Sequence, residues 1–455
     1  MKSKEVVKRY IEQHELLRPD GHYLVAVSGG ADSVCLLLML QQLGYQIEAV
    51  HCNFHLRGDE SQRDEEFVKK LCSEKQIAIH LTHFDTKTYA DQHQVSIEMA
   101  ARNLRYHYFE QLRHDLNAND ICVAHHSDDQ AETVLMNLLR GSGLRGLQGI
   151  RPRNGHIVRP LLCLSRADIE AWLAAKGQPY VTDSTNLQPD ILRNYLRLNV
   201  IPQLQQLVPA AKTNILTTAS HVSEALRVYD AATSEALQRL TTVPDGSPSA
   251  TVPDGSPSHS IPIAALLHEP SPESLLYEWL NPCGFNGATI EAVASHLRQP
   301  MSGKLWTSDT HELCVHRGQL LLSPIRPERP TLRIPETGTY VYDDATRFSI
   351  RLTSALTPSR QPLLATLDAA TVNFPLTIRP AQTADRFIPF GMKGSKLVSD
   401  YLTDRHLSLI DKRRQLVVAD DTGRIVWLVG HRISAPCAVS ETTRQVLTIE
   451  VQQTS

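Results

Sequence analysis

Two short strings in this sequence carry residue types at spacings that could do chemistry. The first is SGGADS, Ser28 to Ser33, which follows the apolar run Leu24 to Val27 and opens an apolar stretch beginning near Ala31. A strand that feeds a glycine-rich turn and then a helix aims backbone N–H groups and a helix N-terminus at one point, which makes an anion site. Gly29 and Gly30 let backbone approach a phosphate closely, Ser28 and Ser33 add hydroxyl donors, and Asp32 is the one carboxylate of the string. No lysine follows, so the GxxxxGK[ST] loop of Walker-type NTPases is absent. The plainer alternative is a tight strand-to-helix turn with Asp32 at the helix start. The second string is HHSDDQAET, His125 to Thr133. Here Asp128 and Asp129, beside the imidazoles of His125 and His126, could hold a divalent cation or take a proton from an attacking group. Asp129 with Glu132 three residues on also reads as a capping box for a helix that starts near Gln130.

The elements that must position these residues follow from the pattern around them. From residue 1 to about 200, short apolar runs (Tyr23 to Val27, Ile47 to Val50, Ile77 to His80, Ile121 to Ala124) alternate with longer helical stretches. That alternation implies βαβ units and a parallel sheet covered on both faces. After the second strand comes a loop with His51, His55 and Arg57; further on, Arg102, Arg105 and Tyr106 fall at i, i+3 and i+4, on one helical face suited to phosphate or base contact or simply to solvent. GSGLRG, Gly141 to Gly146, matches GxGxxG but follows a helical run and not a strand, so Gly141 reads as a helix terminator. Ala210 to Leu240 predicts a bridging helix, and beyond it Thr242 to Ser249 recurs at Thr251 to Ser258, a loop or linker enlarged by duplication. Residues 260 to about 325 read as a small helical unit. Strand-like alternation follows at Thr339 to Tyr342, Phe348 to Leu352 and Leu363 to Leu367; a last unit from about 375, set off by Pro375 and Pro380, holds strands at Arg424 to Val429 and Val446 to Val451.

Composition narrows the class. A length of 455 residues allows about three domains, and 42% hydrophobic with 21% charged residues is ordinary soluble usage. Lys and Arg total 46 against 49 Asp and Glu, so any case for a nucleic-acid partner must be regional. It is: residues 376 to 434 hold ten Lys or Arg and six Asp, a local balance of +4, and Arg140, Arg145, Arg151 and Arg153 form a second basic stretch. Eight scattered cysteines without a CxxC pair predict neither a disulfide framework nor a Cys metal site. The charged N-terminal segment lacks a signal core and the longest apolar run, Val34 to Leu40, is too short to span a bilayer, so a cytoplasmic protein is expected.

SGGADS resembles the SGGxDS signature of the PP-loop (N-type) ATP pyrophosphatases, and HHSDDQAET resembles the HHxDDQAET motif of that superfamily's tRNA-modifying branch. The loop at His51 to Arg57 and the helix ARNLRYHYF resemble its HxxHxLR-like and ARxxRYxFF-like motifs. With RPLL at Arg159, SRADI at Ser165, DSTNLQPDILRNYLR at Asp183, RPAQTADRFIPFGMKGSKLVSDYLTDR at Arg379 and IVWLVGHRIS at Ile425, the chain resembles the tRNA(Ile)-lysidine synthase family over residues 23 to 200 and 376 to 434. Phe54 stands where many members carry His, and the duplicated insert is not a family feature.

The resemblance implies an α/β fold: a parallel-sheet PP-loop ATP pyrophosphatase domain (1–210), a small helical middle domain (211–330) with the Pro/Gly/Ser-rich insert at 241–259, and an α+β C-terminal tRNA-binding domain (375–455). It implies ATP-dependent ligation of free L-lysine to C2 of the wobble cytidine of tRNA(Ile) with a CAU anticodon, through an adenylated cytidine, and it allows a homodimer. Ser28, Gly29, Gly30, Ala31, Asp32 and Ser33 would wrap the pyrophosphate end of ATP, and Asp32 and Asp129 would hold Mg²⁺. Asp128 or Asp129 would orient or deprotonate lysine, Arg105 and Arg193 would touch the adenylate or substrate phosphates, and Arg386, Lys393 and Lys396 would hold the tRNA backbone. The rivals are a tRNA 2-thiolation enzyme, which typically carries CxxC pairs, and a tRNA-binding protein without catalysis, which would be expected to show a degraded phosphate loop.

Overall fold

The computed structural model describes residues 2–182, 192–242, 259–298, 303–344, 346–354 and 357–453, in two compact units, 1–229 and 230–455. In the first unit the strands are β1 (His22–Ala26), β2 (Gln46–Asn53), β3 (Ile79–His83), β4 (Asp120–Cys122), β5 (Arg153–Asn154) and β6 (Ile157–Val158). They form one sheet in the order β3-β2-β1-β4-β6-β5, parallel except for the β5–β6 hairpin. The helices are α1 (Lys2–Gln13), α2 (Ala31–Leu43), α3 (Asp59–Lys75), α4 (Thr86–His93), α5 (Ile97–Asp115), α6 (Ser127–Leu139), α7 (Leu144–Leu147), α8 (Arg166–Ala174), α9 (Leu192–Tyr195), α10 (Ile201–Leu207) and α11 (Ala211–Leu240). A π-helical turn, Leu196–Val200, joins α9 to α10.

Between its first and last turns helix α2 has no polar face: nine of its thirteen residues are buried, and Val34 to Leu40 are all in the core. A helix apolar all round must be covered on every side. It packs with Tyr23, Val25 and Ala49 from β1 and β2, Val7 and Ile11 from α1, and Ile169, Trp172 and Leu173 from α8. Helix α5 supplies Phe109 to the smaller cluster with Leu24, Val50 and Ile121. The strand order turns back between β1 and β4, so the loops after these two strands open side by side at the carboxyl edge of the sheet, the position where open α/β sheets bind ligands. Gly141, at a φ of +69°, stops α6 as its sequence position suggests.

The second unit differs from the sequence expectation in two ways. Residues 260 to 325 are half sheet: β7 (His259–Pro262), β8 (Leu305–Thr307), β9 (His311–His316) and β10 (Gln319–Pro324) form an antiparallel sheet, β7-β10-β9-β8, beside α12 (Ile263–Leu267), α13 (Pro272–Leu280) and α14 (Gly287–Leu297). β9 buries four consecutive residues, so it lacks the period-two alternation that marks a strand. Nor do Pro375 and Pro380 mark a boundary. β11 (Leu332–Ile334) pairs with β15 (Leu376–Pro380), and β12 (Gly338–Asp343) and β13 (Thr346–Thr353) share a sheet with β14 (Leu364–Asp368) and β20 (Val446–Gln453). The C-terminal fold therefore begins near Leu332. It is completed by β16 (Arg386–Phe387), β17 (Lys396–Leu397), α15 (Val398–Asp404), α16 (Leu409–Arg414), β18 (Leu416–Ala419) and β19 (Ile425–Leu428). At the end of α11, Thr242 and Ser260 exchange two backbone hydrogen bonds of 2.9 and 2.8 Å. The duplicated insert lies between them, at 243–258, outside the described residues.

Candidate active site at the carboxyl ends of β1 and β4

The loop after β1 is tied to itself and left open in front. Ser28 N–H donates to Ser33 Oγ (3.1 Å), Ser33 Oγ donates to Gly30 O (3.0 Å), and Val181 N–H donates to Gly29 O (2.9 Å). Gly29 has a φ of +93°, a region that an L side chain enters only under strain. Gly30 is the N-cap of α2 and offers no side-chain cap, whereas α5, α6 and α8 are capped by Ser96, His126 and Ser165. The first-turn N–H groups of a helix have no intrahelical acceptor. Left uncapped at α2, those of Ala31 and Asp32 are donors for an anion.

The Asp32 carboxylate stands over this start. Its Oδ2 accepts from Arg166 Nη1 at 2.6 Å, while its Oδ1 is buried without a hydrogen-bond donor, 3.7 Å from His126 Nε2. Burial pushes the Asp32 carboxyl above the usual carboxylate range, His126 and Arg166 pull it back, and Asp129 pushes it further up. An orphaned carboxylate oxygen beside a second carboxylate fits a divalent cation. Among the described residues no group of three or more His, Cys, Asp or Glu could hold a metal by itself, so these residues offer a cation at most two carboxylates. That suits Mg²⁺, which is usually held by one or two carboxylates plus phosphate oxygens.

Helix α6 starts three residues earlier than the sequence suggests, because the cap is His126 and not Asp129. Asp128 N–H donates to His126 Nδ1 (3.2 Å), and Asp129 Oδ2 accepts from His126 N–H (3.0 Å). Asp129 therefore closes a capping box and faces the site at the same time: Arg197 Nη2 lies 3.6 Å from its Oδ1. Asp128 turns elsewhere. Its Oδ2 accepts from Arg166 N–H at 2.7 Å, and its Oδ1 meets the Lys212 ammonium. His125 accepts from Arg159 Nε (3.3 Å), and burial pushes its imidazole down to about 4.

Asp32, Asp128, Asp129 and His126 thus form one cluster. Arg193 joins its far side through Thr133 Oγ1 (2.9 Å) and the fully buried Glu132 (3.5 Å), which also takes Arg197 at 2.6 and 3.0 Å. Arg105 stands apart, its guanidinium 5.0 Å above the ring of Phe54, which stacks on Phe84; Arg102 lies 5.0 Å over Tyr106. In the second unit Arg386 donates to Ser395, Lys396 pairs with Asp404, and Lys393 is exposed. Arg153 is committed to Asp120. Of the DSTNLQPDI string, residues 183–191 lie outside the described residues. Sequence reasoning missed Arg166, Arg197 and Lys212. The i, i+4 spacing of Arg193 and Arg197 in LRNYLR was the one local signal for Arg197.

All eight cysteines are free thiols, and burial raises every one of them, those of Cys35, Cys52, Cys163 and Cys314 to about 12. Such thiols are inert as nucleophiles, which does not favour the 2-thiolation reading. Among the described residues no helix is long and apolar enough to cross a membrane.

Residues 2–204 match the family described as a PP-loop domain, and residues 256–325 match the TilS substrate binding domain. A tRNA(Ile)-lysidine synthase of Bacteroides thetaiotaomicron is 44% identical over 450 residues, covering 98% of this chain and 99% of its own. One from Parabacteroides distasonis is 41% identical over 449 residues (97% and 98%), and one from Porphyromonas gingivalis W83 is 36% identical over 449 residues (96% and 95%). Similarity of this degree, sustained over nearly the whole of both chains in each pairing, means that the chain belongs to the tRNA(Ile)-lysidine synthase family.

Proposed function

We propose that this protein uses ATP to join free L-lysine to C2 of the wobble cytidine of a tRNA(Ile) with a CAU anticodon, in the cytoplasm. The observation that carries the reading is the uncapped start of α2 with the orphaned Asp32 oxygen above it. In the first half-reaction the cytidine O2 attacks the α-phosphorus of ATP and the bond to the pyrophosphate oxygen breaks. The open N–H groups of Ala31 and Asp32 and the Ser28 and Ser33 hydroxyls receive the charge that develops on the leaving pyrophosphate. Mg²⁺ bound by Asp32 and Asp129 would add charge neutralisation there. Arg166 holds Asp32 in place, and Arg197 holds Asp129 and Glu132.

In the second half-reaction the lysine ε-amine attacks C2, the C2–O bond breaks and AMP leaves. We assign the amine to Asp128, because its Oδ1 already faces an ammonium. A carboxylate there orients the ε-ammonium and takes the proton it must lose before attack. Arg105 and Arg193 serve substrate phosphates, and Arg386 and Lys393 serve the tRNA backbone. The test is incubation with tRNA, ATP and lysine, followed by mass spectrometry of the wobble nucleoside and assay of pyrophosphate and AMP. Lysidine with one pyrophosphate per turnover is the expected result; an unmodified cytidine with an active, folded protein would overturn the reading.

A further inference from the structure

Each oxygen of Asp128 has one close partner, and the two differ in kind; His126 Nδ1 lies further off, 3.7 Å from Oδ2. The Arg166 N–H on Oδ2 is backbone, fixed by the start of α8, where Ser165 and Asp168 close a capping box. The Lys212 ammonium on Oδ1 sits at the end of a four-carbon stem that can swing away. Both Lys212 and Asp128 keep roughly a fifth to a quarter of their side-chain surface exposed, at 24% and 19%, so water and small solutes reach the pair. Nothing local explains a cation at this place. Lys212 is the second residue of α11, and a positive charge in a first helical turn opposes the helix dipole. Burial also lowers the pKa of its amine. What compensates for both is the Asp128 carboxylate.

The group that Lys212 places on Asp128 is a primary alkylammonium, the same group that the acceptor amino acid brings. We infer that Lys212 is an internal occupant of the lysine subsite: its ammonium rests on Asp128 until free lysine displaces it, so Lys212 sets the lysine concentration at which ligation saturates. The inference rests on the assignment of lysine to Asp128 made above. Two ammonium groups cannot share one carboxylate oxygen without repelling each other, so occupancy is exclusive. When only a fraction of the protein has the subsite open, the apparent dissociation constant rises by the inverse of that fraction. A partly exposed pair is worth up to about 1 kcal/mol, which corresponds to about a fivefold effect on half-saturation.

The experiment measures lysidine formed against lysine concentration, at saturating ATP and tRNA, for the wild type, Lys212→Met, Lys212→Arg and Asp128→Asn, each checked by thermal melt. Lys212→Met keeps the stem and removes the ammonium; the KM for lysine should fall about fivefold. Lys212→Arg keeps a cation on Asp128 and should leave the KM at or above the wild-type value. Lys212→Gln replaces Lys212→Met if the latter does not fold. An unchanged or raised KM in the folded neutral variant overturns the inference, as does a lowered KM in Lys212→Arg. A purely structural brace predicts a lower melting temperature with the KM unmoved. Asp128→Asn separates the layers. If it raises the KM while Lys212→Met leaves it unaltered, only the role of Lys212 fails. If it too leaves the KM unaltered, the assignment of lysine to Asp128 fails first.

Discussion

Asp32 combines three conditions that make a carboxylate sensitive to its surroundings: it is largely buried, one oxygen is bound by Arg166, and the other has no donor. Asp32→Ala should lower tRNA-dependent pyrophosphate release by at least about a hundredfold with the melting temperature nearly kept, since the variant removes charge and not core volume. Near-normal release in the folded variant would show that the loop binds ATP without this carboxylate. Asp128 and Asp129 are adjacent in sequence and point apart. Asp129→Asn is expected to slow adenylation, whereas Asp128→Asn should let adenylated tRNA accumulate because lysine arrives poorly; trapping the intermediate by mass spectrometry tells them apart. In the C-terminal region, burial and the nearby Arg405 hold the His431 imidazole down at about 4 instead of near 6.5, and its Nε2 has no partner. A depressed folded-state value favours the neutral ring, so its contribution is present above pH 6.5 and is lost as pH falls toward 4. Urea unfolding of this region should therefore be weaker at pH 5 than at pH 7 by about 1–2 kcal/mol more in the wild type than in His431→Phe.

Among the elements, α6 and the segment from α9 to α10 are joined through one residue. Glu132 has no exposed surface and receives Arg197 through two hydrogen bonds and Arg193 through a longer contact. Glu132→Ala would leave two guanidinium groups facing an empty, carboxylate-sized space, at a cost of about 3 kcal/mol, toward the low end for a broken buried pair because both arginines are a third exposed. A melting temperature within about 2 °C of wild type would show that water replaces the carboxylate. How much of this was legible depends on distance along the chain. The strand, SGGADS turn and α2 span about twenty residues, and their geometry is dictated locally by an apolar run, two glycines and an apolar helix. The Arg166–Asp32 bond joins positions 134 residues apart, and no periodicity in either segment announces it. The start of α6 was misplaced because His is a rare cap, and a Ser, Thr, Asp or Asn was the natural choice. The sheet beside α13 and α14 escaped because β8 has three residues and β9 reads HELCVH, polar at both ends and buried through its middle.

For the molecule as a whole, the basic excess of residues 376 to 434 is smaller on the surface than in the count. Arg379 pairs with Asp385, Lys396 with Asp404, Arg424 with Asp420, and Arg413 and Arg414 with Glu312. Replacing Arg386, Lys393 and Lys396 together with Ala should accordingly flatten the dependence of log K for tRNA on log salt by about two and not about three, at roughly 0.9 per released duplex contact. An unaltered slope in a folded variant would place the tRNA elsewhere. The duplicated segment has a different bearing on the molecule. Thr242 and Ser260 clasp each other through two backbone hydrogen bonds, so the two flanks of the duplicated segment are held together at one point. The closure cost of a flexible segment between fixed ends grows only as the logarithm of its length, and removing one nine-residue copy should change stability by less than about 1 kcal/mol. Copy number here is then nearly invisible to selection on folding, which lets replication errors lengthen or shorten it freely, and the same clasp offers a graft point where a fluorescent or affinity module can be inserted without retuning the enzyme.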